Sequence, residues 1–202
     1  NFLGESPVWD EKKRRLIWID IKNQILFVLK TKTNQLFKTN LNFRAGSFVL
    51  SNRDELVFAS DQGVIIYKDD KIIKTIEVPQ FNLANCNMND GKCDKYGNFV
   101  FGSMDKLEKR GNSSLYRINK EQKIETLFSG IVISNGPAFS VDGKSMYFSD
   151  SFNRKILKFN YRPDRKFDDN YSIFYKFQLE DGTPDGLCVD SQDRVWVALW
   201  GG

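Results

Sequence analysis

The feature that most constrains the fold of this chain is an internal repeat. In four of the five copies an acidic or amide residue leads through a few apolar residues to a turn and then to a second apolar run. Five copies begin at Glu5–Asp10, Ser47–Leu50, Asn89–Asp94, Asn135–Ser140 and Asp185–Asp190. Successive turns lie roughly 40 to 50 residues apart, the period of four-stranded propeller blades rather than of helical solenoids. The repeat therefore predicts a β-propeller.

Composition and the remaining apolar runs favour an all-β fold. The chain contains 17 Phe, 7 Tyr and 4 Trp, and aromatic residues are enriched in strands. Each period also holds later short runs, such as Gln24–Phe27 with Gln35–Lys38, or Ser114–Arg117 with Ile124–Leu127. These supply the two hairpins that an antiparallel blade needs. We expect residues 1–202 to form a single propeller domain.

The fifth copy ends at Trp200–Gly202, after one hairpin. About four and a half blades would leave the ring open and strand edges unpaired, which soluble proteins avoid. We therefore expect a C-terminally incomplete propeller.

Cysteine content and charge limit which cellular compartment we expect for the protein. The three cysteines are odd in number and contain no CxxC pair, which argues against a disulfide framework and favours a reducing, cytoplasmic compartment. Because the chain opens on Asn1, a removed signal peptide stays open as an alternative. The net charge is +4, but basic and acidic residues alternate, and the run Lys12–Arg15 is interpreted as a solvated hairpin tip.

These patterns also limit the classes of partner that we expect. We expect no nucleic-acid partner, because the chain has no extended basic block. We expect no membrane partner, because no apolar run approaches the roughly 20 residues needed to span a bilayer. A monomer or weak homo-oligomer is expected.

The chain has no histidine. This excludes Ser-His-Asp hydrolases, the usual Cys-His proteases and His-ligated zinc sites. Any chemistry must use carboxylates, amides, Lys, Tyr or a metal with oxygen ligands.

Three polar residues, Glu5, Asn135 and Asp185, stand just before the inner apolar run of their repeats. In a propeller these strand ends converge on the central axis, so the three can face one pocket. Two carboxylates and an amide oxygen suit calcium, magnesium or manganese. Asn89 and Asp90 hold the corresponding position in the third copy.

A simpler interpretation is that Asn135-Gly136 and Asp185-Gly186 are ordinary turn dipeptides. Turn residues, however, are expected at the hairpin tips, where the chain already has Asp54, Gly97 and Asp142-Gly143. A second polar position before the inner strands favours a site and leaves the turn as the alternative.

Five motifs carry a resemblance to a known family. They are Gly4–Asp10, Asn89–Asp94, Gly102–Met104, Ile133–Gly136 and Pro184–Asp190. In sequence, order and spacing they resemble the signatures of the senescence marker protein/gluconolactonase/luciferin-regenerating enzyme family over essentially the whole chain. The resemblance implies a six-bladed propeller with one divalent cation on its axis. Calcium is the first expectation, with zinc, magnesium and manganese as alternatives.

The same resemblance implies roles for individual residues. Glu5, Asn135 and Asp185 match the protein ligands of the cation, and Asn89 and Asp90 match groups that hydrogen-bond sugar hydroxyls.

Two further positions concern the substrate. Glu108 lies in a stretch similar to a substrate loop. Asn87 stands where many members carry Arg, which replaces a charged donor by a shorter amide and leaves substrate preference open.

The activity implied is that of a metal-dependent lactonase of carbohydrate metabolism, acting on sugar (aldono) lactones such as gluconolactone or xylonolactone. The cation would polarise the lactone carbonyl and Asp185 would accept the proton of the attacking water. Two alternatives are a non-catalytic, calcium-binding regulatory propeller and a hydrolase of the phosphotriesterase or aryl-esterase type.

Overall fold

A computed structural model describes all of residues 1–202 as eighteen β-strands, with no helix. Accordingly, no helix has the length and apolar character needed to cross a bilayer. The strands belong to two compact units, Asn1–Val78 and Pro79–Gly202.

The first unit contains two four-stranded antiparallel sheets, in which consecutive strands pair. The first sheet consists of β1 (Gly4–Asp10), β2 (Arg15–Asp20), β3 (Ile25–Lys30) and β4 (Gln35–Asn40). The second consists of β5 (Ala45–Leu50), β6 (Leu56–Ser60), β7 (Gly63–Lys68) and β8 (Lys71–Ile76).

The second unit contains two further four-stranded antiparallel sheets and one hairpin. The third sheet consists of β9 (Cys86–Cys93), β10 (Phe99–Asp105), β11 (Ser113–Ile118) and β12 (Ile124–Ile131). The fourth consists of β13 (Ser134–Phe139), β14 (Ser145–Asp150), β15 (Lys155–Asn160) and β16 (Tyr171–Lys176). The hairpin pairs β17 (Thr183–Val189) with β18 (Val195–Trp200). The predicted all-β fold of four-stranded meanders is therefore confirmed.

Period-two alternation explains which strands carry the core. In β2, Ile17 and Ile19 are buried while Trp18 between them is half-buried, as alternation across a pleated strand requires. Three of the four fourth strands differ, because β4, β8 and β16 are exposed along nearly their whole length, whereas β12 buries Leu127 and Ile131. The first unit has a hydrophobic core that includes Phe58, and the second unit has two buried apolar clusters, one with Phe148 and one with Leu187.

Every first strand carries one residue more than the second strand of its sheet accommodates. In β1, Glu5 and Val8 pair with Ile19 and Ile17, so three steps along β1 match two along β2. Bulges of this kind redirect side chains and often lie beside functional sites. The corresponding bulges of the second unit contain Asn89–Asp90, Gly136–Pro137 and Asp185–Gly186.

The bulges also show a difference from the shared position predicted for Glu5, Asn135 and Asp185. Glu5 and Asn135 are the last paired residues before their bulges, whereas Asp185 is the first residue inside its own. An inserted residue leaves the repeat period almost unchanged, so the sequence does not reveal this offset of one position.

Candidate functional site

The bulges of three first strands meet in the second unit. There β13 packs between β9 and β17, and the bulge regions contribute Asn89 and Asp90, then Asn135, then Asp185. The structure therefore brings together four residues that the sequence assigns to one pocket.

Asn89 joins β9 to β13 through its side-chain amide. Its Nδ2 donates to the Ser134 carbonyl and to the Asn135 Oδ1, each at 2.6 Å. Asn135 is 8% exposed, and its own Nδ2 donates to the buried Ser151 Oγ at 3.0 Å. The Asn135 amide is therefore held at both ends.

Asp90 lies against the bulges of both neighbouring strands. Its Oδ2 accepts a hydrogen bond from the Gly136 main-chain N–H at 3.2 Å. A Cβ added at Gly186 would lie 3.2 Å from the same oxygen, so the β17 backbone also approaches it closely. The absence of a side chain at Gly186 gives Asp90 its space.

Both carboxyls are shifted towards the neutral form. Desolvation raises the pKa of Asp90 to about 6; the Gly136 N–H opposes this shift, and the charge of Asp185 adds to it. Desolvation likewise raises the pKa of Asp185, opposed by the N–H of Gly186. Two neighbouring carboxyls that resist ionisation together form a site where positive charge is stabilising.

The donor chemistry fits a hard divalent cation. The second unit offers carboxylate oxygens from Asp90 and Asp185 and the amide oxygen of Asn135, the ligand types that calcium and magnesium prefer. No group of three or more His, Cys, Asp or Glu side chains is gathered as a metal centre.

Three further predicted residues lie on β1, on β9 and in the turn after β10. Glu5 is half-buried on β1 of the first unit, at its bulge. Asn87 is half-buried on β9 and pairs with Met104.

Glu108 is exposed in the turn after β10, where its N–H donates to the Asp105 carbonyl at 3.0 Å. The Asp105 carboxylate shapes this turn by accepting from the N–H groups of Lys109 and Arg110.

Sequence reasoning missed the groups that hold the predicted residues in place. They are the Ser134 carbonyl, the Gly136 N–H and the hydroxyls of Ser149 and Ser151. Main-chain groups leave no trace in a sequence. The two serines could have been found from the sequence, because they are two residues apart at a strand end and such residues share one face of a sheet.

Comparison with known proteins identifies the family of the chain. The sequence model of the SMP-30/Gluconolactonase/LRE-like region matches residues 3–202. The chain belongs to this family. The resemblance seen in the five sequence motifs is thereby confirmed. The family is one of sugar lactonases.

Several members of the family show how far the similarity extends. The chain is 32% identical to an L-arabinolactonase of Azospirillum brasilense over 209 residues, covering 100% of this chain and 68% of that protein. It is 31% identical to regucalcin of Danio rerio, covering 100% of this chain and 69% of that protein.

A solved structure extends the similarity to the fold. The crystal structure of regucalcin from Agrobacterium tumefaciens, described as a calcium-binding protein, superposes with a TM-score of 0.90 at 25% identity. The match covers 99% of this chain and 68% of that one. The fold is thus all-β and propeller-like.

Proposed function

We propose that this protein is a metal-dependent hydrolase of aldonolactones such as gluconolactone or xylonolactone, acting in the cytoplasm. The observation that carries the proposal is the meeting of Asp90, Asn135 and Asp185 at adjoining bulges of the second unit. Membership of a sugar-lactonase family supports the substrate class. A single six-bladed propeller domain, to which residues 1–202 contribute, is part of the proposal.

The proposed cation is calcium, bound by Asn135 and Asp185 with Glu5 as the third ligand. The first two are supported by their place in the second unit, and Glu5 by its position in the repeat, at the bulge of β1, and by the sequence resemblance. When bound, a divalent cation supplies Lewis acidity that polarises a lactone carbonyl and stabilises the developing oxyanion.

Asp185 is the proposed general base. It takes one proton from water as the water oxygen attacks the lactone carbonyl carbon. The ring C–O bond then breaks, and the departing oxygen takes that proton from Asp185 to become the hydroxyl of the aldonic acid, which restores the Asp185 carboxylate. Desolvation raises the pKa of Asp185, and a divalent cation held by the same carboxylate would act in the opposite direction.

Asn89 and Asp90 are proposed to bind sugar hydroxyls. Both hydrogens of the Asn89 Nδ2 are directed at protein oxygens, the Ser134 carbonyl and the Asn135 Oδ1. Asn87 and Glu108 complete the proposed substrate set.

A pH-stat assay against a panel of aldonolactones, with and without a chelator, tests the proposal. We expect turnover that is lost on chelation and restored by calcium. Calcium binding without turnover would instead support a regulatory propeller. Faster turnover of a phosphotriester or aryl ester than of any lactone would support a different hydrolase.

A further inference from the structure

We propose that Ser149 and Ser151, at the end of β14, are positioning residues for the two cation-ligand groups of the second unit. Ser151 orients the Asn135 side chain, and Ser149 fixes the main chain of Asp185. The inference rests on the proposed function for the meaning of those two groups, but its hydrogen bonds can be tested separately.

The direction of the Asn135 amide follows from one obligatory acceptor. The Ser134 main-chain carbonyl can only accept, so the Asn89 atom at 2.6 Å from it must be the Nδ2 donor. The same Nδ2 lies 2.6 Å from the Asn135 side chain, which must therefore present its Oδ1.

Ser151 completes this chain of hydrogen bonds. Because the Asn135 oxygen faces Asn89, its Nδ2 must face Ser151, whose hydroxyl oxygen accepts at 3.0 Å. Ser151 is only 2% exposed, so water cannot readily replace that oxygen. Without it, a buried amide hydrogen would lose its acceptor, and rotation of the amide would become less unfavourable.

Ser149 acts on the neighbouring strand. Its Oγ donates to the Asp185 carbonyl at 2.8 Å, and the serine is fully buried. Asp185 lies inside the β17 bulge, where regular pairing with β18 is interrupted. The Ser149 hydroxyl therefore replaces a ladder hydrogen bond at the residue whose carboxyl must be placed accurately.

Calcium affinity, measured by titration calorimetry, tests this role with matched serine variants. We expect Ser151→Ala to bind calcium about 10-fold more weakly, since loss of a group that orients a ligand typically costs 10- to 100-fold. Ser149→Ala should weaken binding in the same direction, and Ser151→Thr, which keeps the hydroxyl, should retain most of the affinity.

The control is Ser140→Ala. Ser140 is also buried in the fourth sheet region, but its Oγ donates to the Asp142 carboxylate in the turn after β13. This variant should lose stability without losing calcium affinity. If Ser151→Ala and Ser140→Ala change the affinity equally, the positioning role is wrong.

A second readout separates failure of this inference from failure of the proposed function. Hydrogen exchange of the Asn135 side-chain amide, followed by NMR in calcium-free protein, should accelerate at least about 10-fold in Ser151→Ala as a buried hydrogen bond is lost. Unchanged exchange overturns the inference whatever the calcium affinity does. A wild-type protein that neither binds calcium nor opens lactones overturns the proposed function, while accelerated exchange would still support the orienting contact.

Discussion

At the scale of single residues, Asp90 and Asp185 share an environment that disfavours charge but differ in what holds them. Asp90 accepts from the Gly136 N–H on the neighbouring strand, and its pKa is raised to about 6. Asp185 is held through its main-chain carbonyl by Ser149. The Asp185 carboxyl accepts from the Gly186 N–H of its own strand, whereas the Asp90 carboxyl is bound to a neighbouring strand.

We accordingly expect Asp185→Asn to lower lactone kcat by about 10² or more, the usual range of general-base contributions. The amide can still coordinate weakly but cannot take a proton from water. Steady-state kinetics, with circular dichroism as the check on folding, measures the effect. A variant that keeps more than about a tenth of wild-type activity would contradict the assignment of Asp185 as base.

Asp20 provides a prediction about stability and pH. Its carboxylate accepts from the N–H groups of Phe2 and Leu3 and from Asn23. Burial alone would raise the pKa of Asp20, but these donors outweigh it and lower the pKa from 3.8 to about 2. Because the folded-state pKa is depressed, the stabilisation is present above pH 4 or so and is lost as the pH falls towards about 2.

We therefore expect Asp20→Asn to reduce the free energy of unfolding by about 2 kcal/mol at pH 7, and to flatten its pH dependence between about pH 4 and 2. Urea unfolding at several pH values measures both effects. Asp164→Asn, at an exposed carboxylate, is the control and should behave as the wild type does. An Asp20→Asn protein with an unaltered acid transition would show that the carboxylate is not stabilised in the fold.

At the scale of elements, two glycines give a matched pair of variants, Gly136 in the bulge of β13 and Gly130 near the end of β12. Gly136 has φ +80°, and an added Cβ would lie 3.1 Å from the Leu187 side chain. Gly130 has φ +83°, with nothing within 4 Å of an added Cβ. Both Gly→Ala changes should cost about 1 to 2 kcal/mol for the left-handed backbone.

Only Gly136→Ala also crowds a packed strand and disturbs the N–H that contacts Asp90. We expect Gly136→Ala to be about 1 kcal/mol less stable than Gly130→Ala, because overpacking adds to the backbone cost. It should also lose lactone turnover, whereas Gly130→Ala should keep it. Urea unfolding and steady-state assays measure the pair. Equal destabilisation would show that Leu187 yields to the new methyl group without cost.

The elements also show how far sequence reasoning reached. Gln35–Lys38 and Ile124–Leu127 were predicted as strands from apolar runs and form parts of β4 and β12. The one-residue offset of Asp185 was not predicted, because a bulge inserts a residue without changing the type of residue around it. Positions in a repeat can thus be found from the sequence, but the side-chain direction at a bulge depends on pairing with the next strand.

At the scale of the whole molecule, neighbouring sheets within each unit are joined at the turn between their first and second strands. In the second unit, the Val141 N–H donates to the Asp193 carboxylate at 2.7 Å. In the first, Arg15 bridges Asp10 and Asp54 through bonds of 2.7 and 2.8 Å. The interpretation of Lys12–Arg15 as a solvated tip is therefore wrong for Arg15, whose side chain is 19% exposed.

A second connection between sheets is buried, and it centres on Tyr161. This residue follows β15 and is fully buried, and its hydroxyl donates to the Asp94 carboxylate at 2.7 Å. Asp94 follows β9 and also accepts from the side-chain amide of Asn98 at 2.7 Å. The Arg117 guanidinium lies 5.7 Å from the Tyr161 ring centre. Tyr161 thus ties the fourth sheet to charged groups of the third.

We expect Tyr161→Phe to lower the free energy of unfolding by about 2 kcal/mol, since hydrogen bonds to charged groups contribute about 1.5 to 3 kcal/mol. Tyr171→Phe, at a half-exposed ring on β16, is the control and should change stability by less than about 0.5 kcal/mol. Urea unfolding of Tyr161→Phe, Asp94→Asn and the double variant gives the coupling between the two side chains, which we expect to exceed about 0.5 kcal/mol. Additive effects would mean that the contact between the Tyr161 hydroxyl and the Asp94 carboxylate does not help to hold the third and fourth sheets together. A clear coupling would mean that one buried hydroxyl contributes to keeping β9 and β13, and with them Asp90 and Asn135, in register.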